Sequence, residues 1–147
     1  MNQPVERVLA AKGSEIHSVA PTASVLDAVS TMNEHGIGAL LVLDAGRPVG
    51  IFTERDVLRR IVASRADPAT TEVASAMTRE LVVIKPSVSV EDAMAIMTEK
   101  RCRHLPVVEA DRVLGVISIG DLTRWSGRDR EVQIKQLVDF VTGKYPA

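Results

Sequence analysis

The sequence predicts a mixed α+β fold, built from two β-α-β-β-α repeats whose sheets pack against each other. The 147 residues include 46% apolar and 25% charged residues, which is typical of a globular chain. Residues 21–59 match residues 86–124 without a gap, and 14 of these 39 positions are identical, where unrelated sequences would share about two or three. Two repeats of this size would each be marginal alone. We therefore expect their sheets to bury one another.

Each copy predicts the same five elements in the same order. A short strand ends at a proline, and a serine followed three residues later by Asp then starts an amphipathic helix. Two aliphatic strands around a tight polar turn form a hairpin, which runs directly into a second helix. In the first and second copy, these elements are strands at Ile16–Val19 and Val82–Ile84, helices after Ser24 and Ser89, strands at Ala39–Leu43 and Leu105–Val108, strands at Val49–Phe52 and Val113–Ile117, and helices at Thr53–Ala63 and Ser118–Trp125.

Three segments lie outside the repeats. Val5–Ala11 predicts a short helix, and Ser64–Thr71 a polar linker. Arg130–Thr142 predicts a helix whose apolar stripe packs either on its own subunit or on a second copy of the chain. We place the first domain at residues 5–65, the second at 72–127, and a C-terminal helix and tail at 128–147.

The composition argues against several kinds of partner. The net charge is −1 and aromatic residues make up 3% of the chain, so we expect no nucleic-acid partner. Apolar runs are too short to span a bilayer, and the first seven residues lack the apolar segment of a signal peptide. We therefore expect a cytoplasmic protein without a membrane partner.

Sequence motifs for catalysis and metal binding are missing. The chain has no Gly-rich phosphate loop ending in Lys-Ser/Thr, no three-glycine dinucleotide fingerprint and no Gly-x-Ser-x-Gly nucleophile. Its single cysteine, Cys102, lies two residues from His104, but two ligands do not make a metal site. We therefore expect no enzyme, no catalytic cofactor and no metal.

One strand-to-helix junction occurs in both copies. Its spacing of Gly, then Thr or Ser, then Asp predicts a capping box. The same groups suit a nucleoside, because a carboxylate can accept two hydrogen bonds from a ribose diol and a helix N-terminus favours a phosphate. Both interpretations stay open. The residues are Gly50, Thr53 and Asp56 in the first copy and Gly115, Ser118 and Asp121 in the second.

A second group of polar residues precedes the first hairpin strand of the second copy. Arg103 and His104 there form either a solvated strand entrance or a phosphate site. Gly38 and Ala39 stand at the equivalent positions of the first copy. The two sites are therefore not equal.

The chain resembles a tandem pair of cystathionine-beta-synthase (CBS) domains, often called a Bateman module, over about residues 5–126. The resemblance rests on the repeat, on the two junctions and on Met77 and Thr78 before the second copy. It implies a pseudo-twofold axis and two clefts for adenosine ligands: AMP, ADP, ATP, NAD or S-adenosylmethionine. It also implies a regulatory role in signal transduction, a flat homodimer and an unidentified protein target.

The resemblance also implies roles for individual residues. Because Gly38 and Ala39 stand where the second copy has Arg103 and His104, we expect a first cleft with fewer cations and more space, which suits a bulkier ligand such as NAD, and a second cleft that suits a mononucleotide. The implied ligand-binding residues are Asp56 and Asp121 for the ribose hydroxyls, Thr53 and Ser118 for ribose or phosphate, Arg103 and His104 for phosphate in the second cleft, Arg55 for phosphate in the first, Ile16, Val19, Ala39, Val83, Ile84 and Pro106 around adenine, and Gly38, Met77 and Thr78 to complete the set.

Two other functions stay open. A structural or adaptor pair would leave its clefts empty. An enzyme acting on a nucleotide would need a base beside a nucleophile, a metal cluster or a phosphate loop, and none of these is evident in the sequence.

Overall fold

The computed structural model describes residues 3–13 and 15–126; the predicted helix Arg130–Thr142, with its dimer contact, lies outside them. The described part has the mixed α+β fold that the sequence predicted, with two small sheets. In chain order the elements are α1 Val5–Lys12, β1 Ser18–Val19, α2 Val25–His35, β2 Ala39–Asp44, β3 Arg47–Thr53, α3 Glu54–Asp56 with a π-helical continuation Val57–Val62, α4 Val73–Ala76, α5 Val90–Lys100, β4 His104–Glu109, β5 Arg112–Ser118 and α6 Ile119–Ser126.

The two sheets follow the sequence repeat closely. The first has the strand order β1-β2-β3, and the second consists of β4 and β5. The predicted strand at Val82–Ile84 is wrong, because Ile84 makes only a single parallel bridge to Val107. That bridge nevertheless has the register of Val19 beside Val42 in the first copy, since both partners are displaced by the same 65 residues.

Both hairpins turn through the same backbone conformation. Ala45 and Gly46 have φ of 51° and 80°, and Ala110 and Asp111 have φ of 50° and 62°. Two consecutive residues with positive φ give a turn whose twist matches that of the strands it joins. Each hairpin also has a bulge at the same repeat position, after Val42 and after Val107 in β2 and β4. The two hairpins are therefore equivalent frames for the helices that begin at their ends.

Helices α2 and α5 begin where the capping pattern predicted. The side chains of Ser24 and Ser89 accept the backbone N–H of Asp27 and Asp92, each at 3.0 Å. Such a cap satisfies one of the free N–H groups at a helix start. The predicted apolar faces of both helices are buried: Val25, Ala28 and Met32 in α2, and Val90, Ala93 and Met97 in α5.

The helix after the first hairpin departs from the prediction. It is α-helical only over Glu54–Asp56 and continues as a π-helix, in which Ala63 N–H donates to the carbonyl of Leu58 five residues earlier. The structure also adds α4, a four-residue helix that is too short to show a helical period in the sequence.

The described residues form two cores, and each of the two helices that precede a copy, α1 and α4, packs on the other copy. The first helix, α1, packs on the second copy: Val5 N–H donates to Val88 O at 2.8 Å, and Val8 and Leu9 lie in the second core. In turn α4, which precedes the second copy, packs on the first, with Val73 N–H donating to Ala23 O at 2.9 Å. The beginning of the chain is thus part of the distal copy.

A glycine at the same repeat position of each copy lies against a flanking segment. Thr78 and Ile51 exchange backbone hydrogen bonds of 2.8 and 2.9 Å, which brings Met77 over Gly50. A Cβ on Gly50 would lie 2.7 Å from Met77 Sδ and 2.8 Å from Thr78 O. A Cβ on Gly115 would lie 2.7 Å from Leu9 Cδ2. Gly50 and Gly115, which match in the repeat, thus both lie where a flanking segment comes close to the hairpin.

Within residues 3–13 and 15–126, no helix has both the length and the apolar character needed to cross a bilayer.

Gly50→Ala is expected to lower the free energy of unfolding by about 1–3 kcal/mol, because the new methyl group meets a backbone oxygen that cannot move without breaking the Ile51 pairing. Gly120→Ala is the matched control, since its Cβ would meet nothing closer than 3.5 Å. It is expected to leave stability unchanged or slightly higher. Urea unfolding followed by circular dichroism measures both. Equal stability of the two variants would contradict the close approach.

Candidate functional site

The strand-to-helix junctions form the predicted capping boxes. At the first, Asp56 N–H donates to Thr53 Oγ1 at 3.3 Å and Thr53 N–H donates to Asp56 Oδ2 at 3.0 Å. At the second, the reciprocal bonds between Ser118 and Asp121 measure 2.8 and 3.1 Å. These bonds satisfy N–H groups that the start of each helix leaves free. The capping interpretation is confirmed at both sites, and it does not use every acceptor position of the carboxylates.

Asp56 and Asp121 are the buried charged residues among those that the structure describes, with 5% and 9% of their surface exposed. A buried carboxylate is costly unless hydrogen bonds or opposite charges compensate it. The two copies provide that compensation in different ways.

Asp56 is surrounded mainly by neutral donors. Thr53 Oγ1 donates to Oδ2 at 3.2 Å, and Thr78 Oγ1 donates to Oδ1 at 3.0 Å. The nearest cationic contact of the carboxylate is Arg60 Nε at 3.8 Å, but the guanidinium of Arg60 donates to Met77 O at 2.7 Å. Because hydroxyl groups can rotate, both threonines can change partners when a ligand arrives.

Asp121 is paired with two cations. Lys12 Nζ lies 2.7 Å from Oδ2, and Arg124 Nη2 lies 2.8 Å from Oδ1. Burial alone would raise the pKa of Asp121, but the hydrogen bonds from Lys12 and Ser118, with the charge of Lys12, hold that pKa below its ordinary value. The charge of Asp121 is therefore neutralised from within the chain.

A cleft of about 450 Å³ lies between the two copies. Asp56 and Thr78 line one side, and the entrance to β4 lines the other. Half of the residues predicted for ligand binding are on its wall: Gly38, Thr53, Arg55, Asp56, Thr78, Arg103, His104 and Pro106.

Positive charge dominates this cleft. Six of the lining residues are cationic and three are acidic. The cations come from both copies: Arg55, Arg59, Arg60, Lys100, Arg101 and Arg103. The acids are Glu54, Asp56 and Glu80. Such a cleft has the electrostatics of an anion site.

That the first cleft has fewer cations and more space than the second stays a prediction, but the cleft that contains Gly38 is itself rich in cations. The sequence comparison assigned Arg103 to the copy of Asp121, whereas the cleft sets Arg103 and Arg101 across from Asp56. The space over Gly38 is also used, because the Glu54 carboxylate lies where a Cβ would stand.

Four cationic lining residues were missed from the sequence. Arg59 and Arg60 follow Asp56 on the π-helix, and Lys100 and Arg101 end α5. Arg101 has φ of 54°, where the matching residue of the first copy is Gly36 at 62°. A left-handed conformation costs a side-chain-bearing residue roughly 1–2 kcal/mol. The signal in the sequence was that Arg101 stands at the repeat position of Gly36. The structure shows that this arginine lines the cleft.

The other predicted site residues lie outside the lining of this cleft. Met77 and Ile84 are buried, Val83 is exposed, and Ile16, Val19 and Ala39 are half-buried. Ser118 and Asp121 form the second junction. Their roles around a ligand stay predictions.

His104 lies between the two junctions. It pairs with Ser118 across the second hairpin and also lines the cleft with Asp56. Burial, with the charge of Lys12, lowers the pKa of His104 below its ordinary value, and Asp121 and Glu54 oppose this in part. The imidazole is therefore neutral at pH 7.

Cys102 is a free thiol on the cleft wall, and burial raises its pKa. No cluster of three or more potential metal-ligating His, Cys, Asp or Glu side chains occurs in the part of the chain that the structure describes. The arginines of the cleft can bind an anion, and the Asp56 carboxylate can accept hydrogen bonds from hydroxyl groups.

Comparisons with known proteins agree with this architecture. The family model of the CBS domain matches residues 8–63 and again residues 72–128. A mitochondrial CBS-domain-containing protein of Arabidopsis thaliana is 36% identical over 127 residues, which cover 83% of this chain and 62% of that protein's length. The CBS-domain-containing protein YhcV of Bacillus subtilis is 34% identical over 109 residues, which cover 74% of this chain and 77% of that protein.

A solved structure from Burkholderia ambifaria, described as a candidate signal-transduction protein with CBS domains, superposes with a TM-score of 0.84. It is 41% identical and covers 86% of this chain and 96% of its own.

Asp121→Asn is expected to lower the free energy of unfolding at pH 7 by about 1 kcal/mol, since the ion pairs are lost while part of the cap is kept. In the wild type, the lowered pKa of Asp121 makes its stabilisation complete above the unfolded-state pKa, and this is lost as the pH falls below about 4 through the folded-state pKa.

Acid titration of urea unfolding midpoints should therefore show a shallower decline below pH 4 in Asp121→Asn than in the wild type. Asp111→Asn, in the exposed second hairpin turn, serves as the control and should keep the wild-type slope. Identical slopes in all three proteins would refute the charge pairing of Asp121.

Proposed function

This chain belongs to the CBS-domain family, and we propose that it is a regulatory module that binds an adenine nucleotide in the cleft between its two CBS domains. The observation that carries the proposal is the meeting of the buried Asp56 carboxylate and an excess of cations in one cleft. The cleft volume of about 450 Å³ lies in the range of small-molecule sites.

The ribose is proposed to lie at Asp56. A carboxylate accepts hydrogen bonds from both hydroxyls of a 2′,3′-diol, and Oδ1 of Asp56 has a single close donor, Thr78 Oγ1. The hydroxyls of Thr53 and Thr78 can turn from the carboxylate to the sugar. The resemblance predicted the same roles for Asp56 and Thr53.

The phosphate is proposed to lie among the arginines. Arg55 and Arg103 approach from different copies, and Arg101 lies beside Arg103. A guanidinium group binds phosphate oxygens through two parallel hydrogen bonds and keeps its charge at every relevant pH. The surplus of cations supports an anionic nucleotide rather than a neutral nucleoside.

The adenine is proposed to lie on the apolar part of the wall. Ile51, Leu81, Val82 and Pro106 provide that surface. Flat apolar contact with a few backbone polar groups is how most small-molecule sites hold a ring. AMP, ADP, ATP and NAD share this adenosine unit, and direct titration has to rank them.

A ligand in this cleft would regulate by joining the copies. Asp56 belongs to the first CBS domain, and Arg103 to the second. A nucleotide held by both would bias their relative arrangement, and a protein target that distinguishes the two arrangements would read the signal. The target and the homodimer both stay proposals, and light scattering would measure the oligomeric state.

Isothermal titration with AMP tests the proposal. Asp56→Ala is expected to weaken AMP binding about 10- to 100-fold, because it removes the acceptor for the ribose. Asp111→Ala, which changes an equally charged but exposed turn residue, should bind as the wild type does. Circular dichroism checks that Asp56→Ala is folded, since a lost cap costs only about 1 kcal/mol.

No binding of AMP, ADP, ATP or NAD to the wild type would contradict the proposal and favour the structural or adaptor function. Conversion of a bound nucleotide, detected by chromatography after incubation, would favour the enzyme.

The affinity for AMP is expected to rise as the pH falls from 7.5 towards 6. His104 is neutral in the free cleft because its pKa is lowered, and a nearby phosphate would raise that pKa, so binding takes up a proton. Each unit of increase in the pKa strengthens binding by up to about tenfold. His104→Gln removes the titrating group, and the difference between its profile and that of the wild type isolates the contribution of His104. Superimposable profiles would exclude His104 from phosphate binding.

A further inference from the structure

We propose that Lys12 closes the second junction, so that the chain binds one nucleotide, at Asp56, although it carries two matched carboxylates. The inference rests on the proposed function and reduces the two clefts that the resemblance implies to one ligand site. It makes Lys12 a residue that determines how many ligands the pair can hold.

Lys12 uses hydrogen-bond acceptors that a ligand at Asp121 would need. Its ammonium donates to Asp121 Oδ2 and to Val116 O, both at 2.7 Å. The side chain of Asp121 is only 8% exposed. A ribose diol would have to displace the ammonium from this carboxylate, and its uncharged hydroxyls would then replace a cationic donor.

The equivalent carbonyl and carboxylate group of the first copy are contacted by a neutral residue, Thr78. Ile51 and Asp56 are the counterparts of Val116 and Asp121 in the 65-residue repeat. Thr78 donates to both of them, its N–H to Ile51 O at 2.8 Å and its hydroxyl to Asp56 Oδ1 at 3.0 Å. Lys12 thus contacts in the second copy the carbonyl and the carboxylate that Thr78 contacts in the first. It binds Oδ2, which also accepts the cap N–H of Ser118, whereas Thr78 binds Oδ1 of Asp56.

The cause of this difference is the length of the helix that precedes each contact. Met77 lies over Gly50, as Leu9 lies over Gly115. Met77 ends its helix and passes into an extended segment that pairs with β3. The first helix does not end at Leu9; it continues to Lys12, and the basic side chain of this last residue reaches the carboxylate.

The spacing of the two flanking segments along the sequence reflects the same difference. Leu9 and Met77 are 68 residues apart, whereas Gly50 and Gly115 are 65 apart. The flanking segments are therefore not copies of one another in the register of the repeat. The first copy receives a threonine at its carboxylate, and the second receives a lysine.

The second cation on Asp121 does not add a comparable barrier. The side chain of Arg124 is 76% exposed, against 39% for that of Lys12. An exposed arginine can leave the carboxylate for solvent at little cost, since such ion pairs contribute about 0–1 kcal/mol. Removal of the lysine alone is therefore expected to make Asp121 available.

Equilibrium dialysis with radiolabelled AMP at saturating concentration counts the sites. The wild type is expected to bind one AMP per chain and Lys12→Met two, because methionine keeps the stem of the side chain without the ammonium. Arg7→Met removes a charge from an exposed position of the same helix and should keep one site. Lys12→Gln repeats the test if Lys12→Met is not folded by circular dichroism.

Double variants locate each site. At the AMP concentration that saturates the wild type, Asp56→Ala should leave its weakened site largely unfilled. Lys12→Met with Asp56→Ala should bind one AMP, and Lys12→Met with Asp121→Ala should bind one. Two sites in the wild type, or one site in both Lys12 variants, would overturn the inference while leaving the proposed function in place. The absence of AMP binding to every protein would overturn both.

Discussion

The need to compensate a buried carboxylate governs the arrangement around both junctions. Each Asp lies one turn into a helix that begins where a hairpin ends, so the backbone N–H of Thr53 or Ser118 supplies the first donor. Thr53 Oγ1 adds a donor at the first junction, and Arg124 adds one at the second. A segment outside the hairpin completes each site. Thr78 and Lys12 are these outside donors, and each follows a residue that packs against a matched glycine. Cap, glycine and flanking segment therefore form one structural unit.

Much of the fold could be predicted because it depends on local capping and turn motifs, and these occur in both copies of the repeat. Polar turns between aliphatic runs predicted both hairpins, and Ser24 and Ser89 predicted the helix starts, since caps and turns need only neighbouring residues. The strand at Val82–Ile84 failed, because a strand needs partners along its length and Ile84 alone finds one. The π-helix after Asp56 has no signature in the apolar pattern.

The candidate site was only half predictable, for a related reason. Thr53, Asp56 and Thr78 belong to motifs and were named from the sequence. Arg59, Arg60, Lys100 and Arg101 enter the cleft through the way one copy faces the other, and no spacing within a copy records that. Lys12 was missed because the repeat begins after it, so a comparison of the copies does not reach it. The repeat therefore predicts the elements within each copy well, but it does not predict which side chains meet between the copies.

The exchanged position of the first helix has a consequence for synthesis. Val5, Val8 and Leu9 leave the ribosome before their partners, Val88 and the second core, which lie in the later part of the described chain. Contacts between residues so distant in sequence form late and slow the search for the native state. The nascent chain must therefore keep the apolar face of α1 unburied until the second copy has been synthesised.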